Sequence, residues 1–176
     1  MAEQEAERTE STGKHLSMGW VMLGVTAVAI ILDQLTKIWA VTSLPEDGSA
    51  PYSFGFISLR LIRNPGAAFS LGAGSTWVFT IISTLVVIAI LWWVAKGNVQ
   101  SVLLAVVLGL IAGGAIGNLI DRLTQPPGFA QGHVIDFIDY NGFFVGNVAD
   151  IWIVGGALGL VLYFALHRET PEVTDE

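Results

Sequence analysis

The sequence contains no cysteine, which excludes disulfide bridges, thiolate nucleophiles and sulfur-ligated metal sites. Charged residues are also scarce. They make up 13% of the 176 residues, whereas soluble domains carry about 25%. Hydrophobic residues make up 53% of the chain, and its mean hydropathy is +0.64. Such a composition is typical of a protein whose main solvent is a lipid bilayer.

The few charges are unevenly distributed along the chain. The formal net charge is −7, and about half of the acidic residues lie in residues 1–17 and 168–176. Both segments are polar and poor in aromatic residues, so we expect disordered acidic tails. The basic residues form no patch, and no nucleic-acid partner is expected. The first apolar run follows an acidic lead without a small-residue cleavage site, so we expect a retained helix and not a removed signal peptide.

Four apolar runs are long enough to cross a bilayer as helices, which takes about 20 residues. They are predicted at residues 18–41, 76–95, 101–120 and 148–167. Residues 18–167 are therefore expected to form one membrane domain. Four spans place both chain ends on one side and the longer connections, 42–75 and 121–147, on the other. Lysine and arginine divide equally between the two sides, so charge leaves the orientation open.

The first long connection carries a strand signal. Its stretch SFGFISLRLIRN, residues 53–64, is rich in aromatic and β-branched side chains and partly alternates, which predicts one or two strands. A turn containing Gly66 follows. The predicted fold is thus an α-helical membrane protein with four transmembrane helices and a small β-sheet, or cradle, formed by this connection on the membrane surface.

Several polar residues interrupt the apolar runs of the first and third spans. Asp33 and Lys37 are four positions apart, so they share a helix face and form either a structural ion pair or part of a functional site.

In the third span a glycine recurs every fourth residue, which favours close helix packing. These glycines are Gly109, Gly113 and Gly117.

The end of the third span gathers Asn118, Asp121 and Arg122. Arg122 has two interpretations from the residues alone. Its guanidinium can bind a carboxylate or phosphate bidentately, or it can hold Asp121 in place. The sequence leaves both open.

Three aspartates are candidates for chemistry. Asp136 and Asp139 lie in the second long connection, where an aspartate is often an ordinary loop residue. Asp150 opens the last span, where it either caps the helix or performs a function, because acids within membrane spans are unfavourable. Two neighbouring carboxylates share a proton, and such a pair can hydrolyse a peptide bond by acid–base catalysis. The three scattered histidines make a poor zinc site, so no metal is expected.

Five short motifs follow one another along the chain: DQLTK (33–37), NPGAAF (64–69), GGAIGNLIDR (113–122), HVIDF (133–137) and NVAD (147–150). Together and in this order they resemble the bacterial lipoprotein signal peptidases, the signal peptidase II family, over residues 19–166. The resemblance implies an intramembrane aspartic endopeptidase of the bacterial cytoplasmic membrane. Such an enzyme cuts diacylglyceryl-modified prolipoproteins just before the lipid-modified cysteine. Both termini would be cytoplasmic, and the active site would lie at the extracytoplasmic surface.

The resemblance also assigns roles to residues. It implies the catalytic pair Asp136 and Asp150, and only this match favours Asp136 over Asp139. It implies that further matching residues support the site, namely Asp33, Lys37, Gly66 and Asp121. It implies as partners prolipoproteins, membrane lipids and the cyclic lipopeptide globomycin. It also implies that the enzyme is a monomer and needs no cofactor. The residues expected to line the substrate and inhibitor pocket are Asn64, Asn118, Arg122 and Asn147.

Two features depart from the family's usual pattern. Gly146 stands where phenylalanine is usual, and the stretch LTQPPGFAQG, residues 123–132, is longer than usual. Both leave the aspartates in place. Gly146 is expected to alter a wall of the pocket, residues 123–132 are interpreted as a loop that extends a lid, and inhibitor affinity is the property that these changes would affect. The alternative classes are an ion-coupled transporter and a non-catalytic scaffold. A transporter is less favoured, because the acids gather at one surface and supply no path through the membrane.

Overall fold

The structure, a computed structural model, describes residues 1–66 and 75–166, and only the backbone within residues 2–17. Three of its helices, and the part of the first that begins at Met18, are long and apolar enough to cross a membrane. The prediction of four transmembrane helices is confirmed. The helices are α1 (Ala2–Ser43), α2 (Thr76–Ala95), α3 (Val102–Thr124) and α4 (Val148–Leu166).

Both predicted tails stay predictions. Helix α1 includes the backbone of most of residues 1–17, the segment expected to be a disordered tail. Residue 167 and the predicted C-terminal tail, residues 168–176, lie outside the described residues.

Helix α3 is the central helix, in contact with α1, α2 and α4. Its glycines allow the close approach of α1. A Cβ atom at Gly109 would lie 2.9 Å from the Met22 carbonyl oxygen, and one at Gly113 would collide with the Ala29 side chain. Gly117 continues the same row and meets the Asp33 carboxylate. The close packing predicted from the glycine spacing is therefore present in the structure.

The half of the bundle farther from the sheet is held by apolar packing. Large side chains on the outer surfaces of α2 and α4, such as Leu85 and Leu158, are exposed and face the region that lipid would occupy. Inside this half, a cluster of buried residues joins α1, α2 and α3. We call this cluster the apolar end. It comprises Met22, Ile90, Val99, Leu104, Ala105, Leu108 and Ala112.

Both long connections contribute to one antiparallel sheet with the order β1-β2-β3-β4. The first connection forms β1 and β2, as predicted, but the second supplies β3 and β4, which were not predicted. Asn141 and Gly142 have φ values of 55° and 78° in the turn between these two strands. An Asn-Gly pair is a strong hairpin signal. The strands are β1 (Tyr52–Phe54), β2 (Ile57–Asn64), β3 (Val134–Asp139) and β4 (Val145–Gly146).

The sheet packs on the end of α1 through a second apolar cluster. Ala40 of α1 and Leu44, which follows the end of α1, belong to this cluster together with Leu61 of β2 and Ile135 and Phe137 of β3. These contacts fix the sheet over the helix ends, where polar residues of α1, α3 and α4 are buried.

Candidate active site

Strand β3 carries Asp136 to the junction between sheet and helices. The register pairs Asn64, the last residue of β2, with Val134, two positions before Asp136. Side chains two positions apart on a strand share a face. Asn64 Nδ2 accordingly donates to Asp136 Oδ2 at 2.8 Å, and Asn147 Nδ2 donates to Asp136 Oδ1 at 2.6 Å. With both oxygens bonded, Asp136 is only 2% exposed.

Asp150 lies in the first turn of α4 and caps it. Asp150 N donates to Asn147 Oδ1 at 3.1 Å, and Asn147 N donates to Asp150 Oδ2 at 3.1 Å. This reciprocal pair is a capping box, which satisfies two amides at the helix start. Asn118 Nδ2 also donates to Asp150 Oδ1 at 2.9 Å. The capping interpretation therefore holds, and it leaves Asp150 facing the pocket described below.

Asn147 links the two aspartates. Its backbone bonds Asp150, its side chain bonds Asp136, and Asn147 Nδ2 also donates to Asn118 Oδ1 at 3.1 Å. Burial, and then the neighbouring charge of Asp150, raise the pKa of Asp136 to about 7. Near neutral pH Asp136 therefore binds a proton far more readily than an ordinary aspartate. Two carboxylates in this arrangement are suited to share one proton.

A pocket of about 590 Å³ opens beside both carboxylates. Asn64 and Asn147 also line it, whereas the rest of the wall is largely apolar. The sequence interpretation missed the aromatic part of this wall. The run of apolar residues after Asn141–Gly142 is the signal that could have identified it. The apolar wall includes Tyr140, Phe143, Phe144, Ile151, Val154 and Leu158.

Asp139 lies outside this pocket lining. Its carboxylate forms an ion pair with Arg60 at 3.0 Å and accepts hydrogen bonds from Ser58 and from the Gly142 backbone. The same strand thus presents one aspartate to the pocket and uses the other to hold the sheet.

Arg122 lies behind the pocket lining and contacts backbone carbonyls. Its Nη1 donates to Asn118 O at 3.3 Å, and its Nη2 donates to Gly66 O at 3.4 Å. Gly66 N in turn donates to Asn64 Oδ1 at 2.9 Å. Among the described residues, the buried Nε of Arg122 has no hydrogen-bond partner. Arg122 and Gly66 therefore connect the asparagines on the two sides of the site.

Asp33 and Lys37 form the predicted ion pair, at 2.9 Å, but the pair is not isolated. Lys37 Nζ also lies 2.8 Å from Asp121 Oδ2 and donates to Asn118 Oδ1 at 2.9 Å. The Lys37 side chain is only 3% exposed. Three acceptors satisfy the buried ammonium and remove the need for water.

Gly146 leaves room beside Asp150. A Cβ atom at this position would lie 2.8 Å from Asp150 Oδ2 and 3.2 Å from Cε2 of Phe144. The pocket wall at this point is formed by the Phe144 ring, which stacks on Tyr140 with centroids 4.4 Å apart.

The described residues contain no group of three or more histidines and carboxylates placed to hold a metal ion.

Comparison with known proteins identifies the family of this chain. A family model described as signal peptidase (SPase) II matches residues 25–166. A lipoprotein signal peptidase of Mycobacterium avium is 44% identical over 142 residues, which cover 81% of this chain and 77% of that protein. One from Bifidobacterium longum subsp. infantis is 37% identical over 173 residues, covering 96% and 93%. A solved structure described as a bacterial membrane enzyme matches with a TM-score of 0.74 and 26% identity, over 88% of this chain and 93% of that one. The chain is therefore a multi-pass membrane peptidase that belongs to the signal peptidase II family.

Proposed function

We propose that this protein is an aspartic endopeptidase that removes the signal peptide from diacylglyceryl-modified prolipoproteins, cutting just before the lipid-modified cysteine. The observation that carries this proposal is the pair Asp136 and Asp150, which line one pocket and are linked through Asn147. The substrate class is supported by similar proteins that are named lipoprotein signal peptidases.

In this proposal the two carboxylates hold a water molecule between them. The ionised carboxylate takes a proton from the water, whose oxygen attacks the peptide carbonyl carbon. The protonated carboxyl gives its proton to the carbonyl oxygen. The tetrahedral intermediate then collapses: the C–N bond breaks, the amine leaves with the proton that the pair took from the water, and a hydroxyl of the intermediate returns its proton to the pair as the carbonyl re-forms. The roles of acid and base belong to the pair Asp136 and Asp150 and are not assigned to one residue each, because coupled groups titrate as a unit.

The pocket wall supports a lipid-bearing substrate. Ile151, Val154 and Leu158 extend the pocket from the carboxylates along α4, into the part of the helix that crosses the membrane. This apolar wall suits the acyl chains and the signal helix, while the scissile bond lies at the polar mouth. Globomycin-type lipopeptides would compete for the same wall.

The polar residues around the pair would orient the peptide. Asn64 and Asn147 line the pocket, and Asn118 fixes Asp150 from behind. Arg122 lies behind the lining, where its charge acts on both aspartates and its guanidinium bonds the carbonyls of Asn118 and Gly66. These contacts support a role for Arg122 in holding the proposed catalytic pair. The enzyme would act as a monomer surrounded by membrane lipids, with no cofactor.

The orientation belongs to the same proposal. Both termini would lie in the bacterial cytoplasm, and the sheet and the aspartates would face the extracytoplasmic side. The support is that both long connections lie at one end of the bundle, together with the site. Prolipoproteins carry their modified cysteine at the outer surface of the cytoplasmic membrane, so the site would meet it there.

The test is cleavage of a purified diacylglyceryl-prolipoprotein by the protein in detergent, beside the same prolipoprotein without the lipid. We expect cleavage of the lipidated form only, in the presence of EDTA, with the lipidated cysteine at the new N-terminus by mass spectrometry. The Asp136→Asn variant should leave the substrate whole. A well-folded wild-type protein that leaves the lipidated substrate intact would refute the proposal, and ion flux in liposomes would then test the transporter alternative.

A further inference from the structure

The carboxylate of Asp33 does more than pair with a lysine. Its Oδ1 accepts a hydrogen bond from the backbone N–H of Ala149 at 2.9 Å. Ala149 is fully buried and immediately precedes Asp150, in the first turn of α4, where a helix has amides without intrahelical partners. Only a glycine at position 117 leaves space for this carboxylate, because a Cβ atom there would collide with Asp33 Oδ2. Asp33 therefore fixes the backbone just before Asp150.

The carboxylate of Asp121 makes the equivalent contact on the other side of the site. Its Oδ2 accepts from the backbone N–H of Ile135 at 3.1 Å. Ile135 is 1% exposed and immediately precedes Asp136 on strand β3. Each aspartate of the proposed catalytic pair is thus preceded by a residue whose buried backbone N–H donates to a carboxylate. Asp33 of α1 supplies this carboxylate beside Asp150, and Asp121 of α3 supplies it beside Asp136.

Lys37 joins these two contacts. Its ammonium lies between Asp33 Oδ2 and Asp121 Oδ2, at 2.9 and 2.8 Å. The third donor goes to Asn118 Oδ1 at 2.9 Å. An ammonium has only donors, so it turns the oxygen of the Asn118 amide towards Lys37 and the nitrogen towards Asp150.

We propose that Lys37 is the positioning residue of the proposed catalytic pair, acting on Asp150 through Asp33 and Asn118 and on Asp136 through Asp121. This inference rests on the proposed function, since it assumes that the two aspartates do the chemistry. Lys37 itself lies behind the pocket and does not touch substrate. Its role is to hold two carboxylates at a fixed separation, and a shift of 1 Å in such groups lowers a rate by about 100-fold.

The first test replaces the ammonium with an uncharged side chain of similar length, Lys37→Met. We expect kcat for the lipidated substrate to fall by about 100-fold, with KM little changed, because the pocket wall is intact. A matched control is Met22→Ala, also on α1 and facing α3, about 22 Å from Lys37 along the helix. The control should lower Tm and leave kcat unchanged at a temperature where it is folded.

Lys37→Met leaves two buried carboxylates without their cation, and this change alone can prevent folding. The second test therefore neutralises the whole group in a triple variant, Asp33→Asn/Lys37→Met/Asp121→Asn. The asparagine side chains keep an acceptor for each buried amide, and no unpaired charge remains. We expect a folded protein whose kcat is still reduced by about 100-fold, because nothing orients the Asn118 amide.

The results separate this inference from the proposed function. If Asp136→Asn cleaves at the wild-type rate, the proposed catalytic pair is wrong, whatever Lys37 does. If Asp136→Asn is silent, a folded Lys37→Met or triple variant with wild-type kcat would overturn the positioning role alone, as would a rise in KM without a fall in kcat. Failure of both Lys37 variants to fold would also overturn it, in favour of a purely structural role.

Discussion

The two ends of the helix bundle are built by different forces. At the apolar end, Met22, Leu104 and Leu108 pack against one another, and Gly109 lets α1 approach α3. At the other end, which we call the polar end, the same helices and the sheet bury charges and amides that bond one another over sequence separations of up to 116 residues. The polar end comprises Asp33, Lys37, Asn118, Asp121, Arg122, Asp136, Asn147 and Asp150.

The difference shows how one small bundle separates stability from chemistry. Apolar contacts are non-directional, so they hold the helices together and tolerate small shifts. Hydrogen bonds to charged groups depend on distance and angle, and a buried charge that loses its partner is strongly unfavourable. The polar end is therefore the part of the molecule where geometry is specified, and it is where the proposed catalytic pair lies.

The largest effect is expected from breaking the polar end at Asp121. The Asp121→Ala variant removes one of the two carboxylates beside Lys37 and leaves the Ile135 amide buried without its acceptor. We expect the free energy of unfolding to fall by about 3–5 kcal/mol, and cleavage to be lost. Denaturation in detergent and a cleavage assay measure the two effects. A variant that is as stable and as active as the wild type would contradict the account of the polar end.

A deletion at the apolar end should separate stability from activity. Leu108→Ala leaves a cavity between α1 and α3, and we expect a loss of about 2–3 kcal/mol. Because no contact to the aspartates changes, kcat should be unaffected below the melting temperature. Parallel measurement of Tm and kcat tests this. Reduced kcat in a fully folded Leu108→Ala protein would show that the two ends are coupled.

A change of pH should act on the polar end alone. Burial and the charge of Asp150 raise the pKa of Asp136 to about 7, and the proposed mechanism needs one proton on the pair. Below that pH the proton is bound; as pH rises above it the proton is lost, so kcat/KM, which reports the free enzyme, should fall by about tenfold per pH unit. The measurement is the pH dependence of kcat/KM, with Tm recorded over the same range. A rate that keeps rising through pH 9 would exclude this protonation state.

The smallest effect is expected at an ion pair outside both ends. Arg63 Nη2 lies 3.4 Å from Glu46 Oε1, and both side chains are substantially exposed. Water and salt weaken such a pair, so its coupling should be less than about 1 kcal/mol. A double-mutant cycle with Arg63→Ala and Glu46→Ala measures it. Coupling as large as the effect of Asp121→Ala would remove the distinction between buried and exposed pairs.

The apolar end could be predicted almost completely from the sequence. Span length, charge scarcity and the glycine row of α3 depend on local composition and spacing, so they indicated four helices and close packing of α3, but not that α1 is the helix that packs there. The second half of the sheet was missed, because VIDFID was interpreted as a loop. The signal was present at Asn141–Gly142, whose positive φ values form the turn between β3 and β4.

The polar end could be predicted only in part. Counting spans placed Asp33, Lys37, Asp121 and the later aspartates at one end of the bundle, where the structure brings them together. The partners could not be predicted, because they depend on how each helix is rotated about its axis. The bond between Lys37 and Asn118, for example, joins α1 to a residue of α3 that lies 81 positions away.

The central claim is that Asp136 and Asp150 carry the cleavage while their neighbours only hold them. The most direct measurement is the single-turnover rate on a lipidated prolipoprotein for Asp136→Asn, Asp150→Asn and the matched control Asp139→Asn, which changes an aspartate on the same strand as Asp136 but outside the pocket lining. We predict no detectable cleavage by the first two, with Tm values near that of the wild type, and a rate near wild type for the control. Cleavage by either of the first two at the rate of the control would contradict the claim.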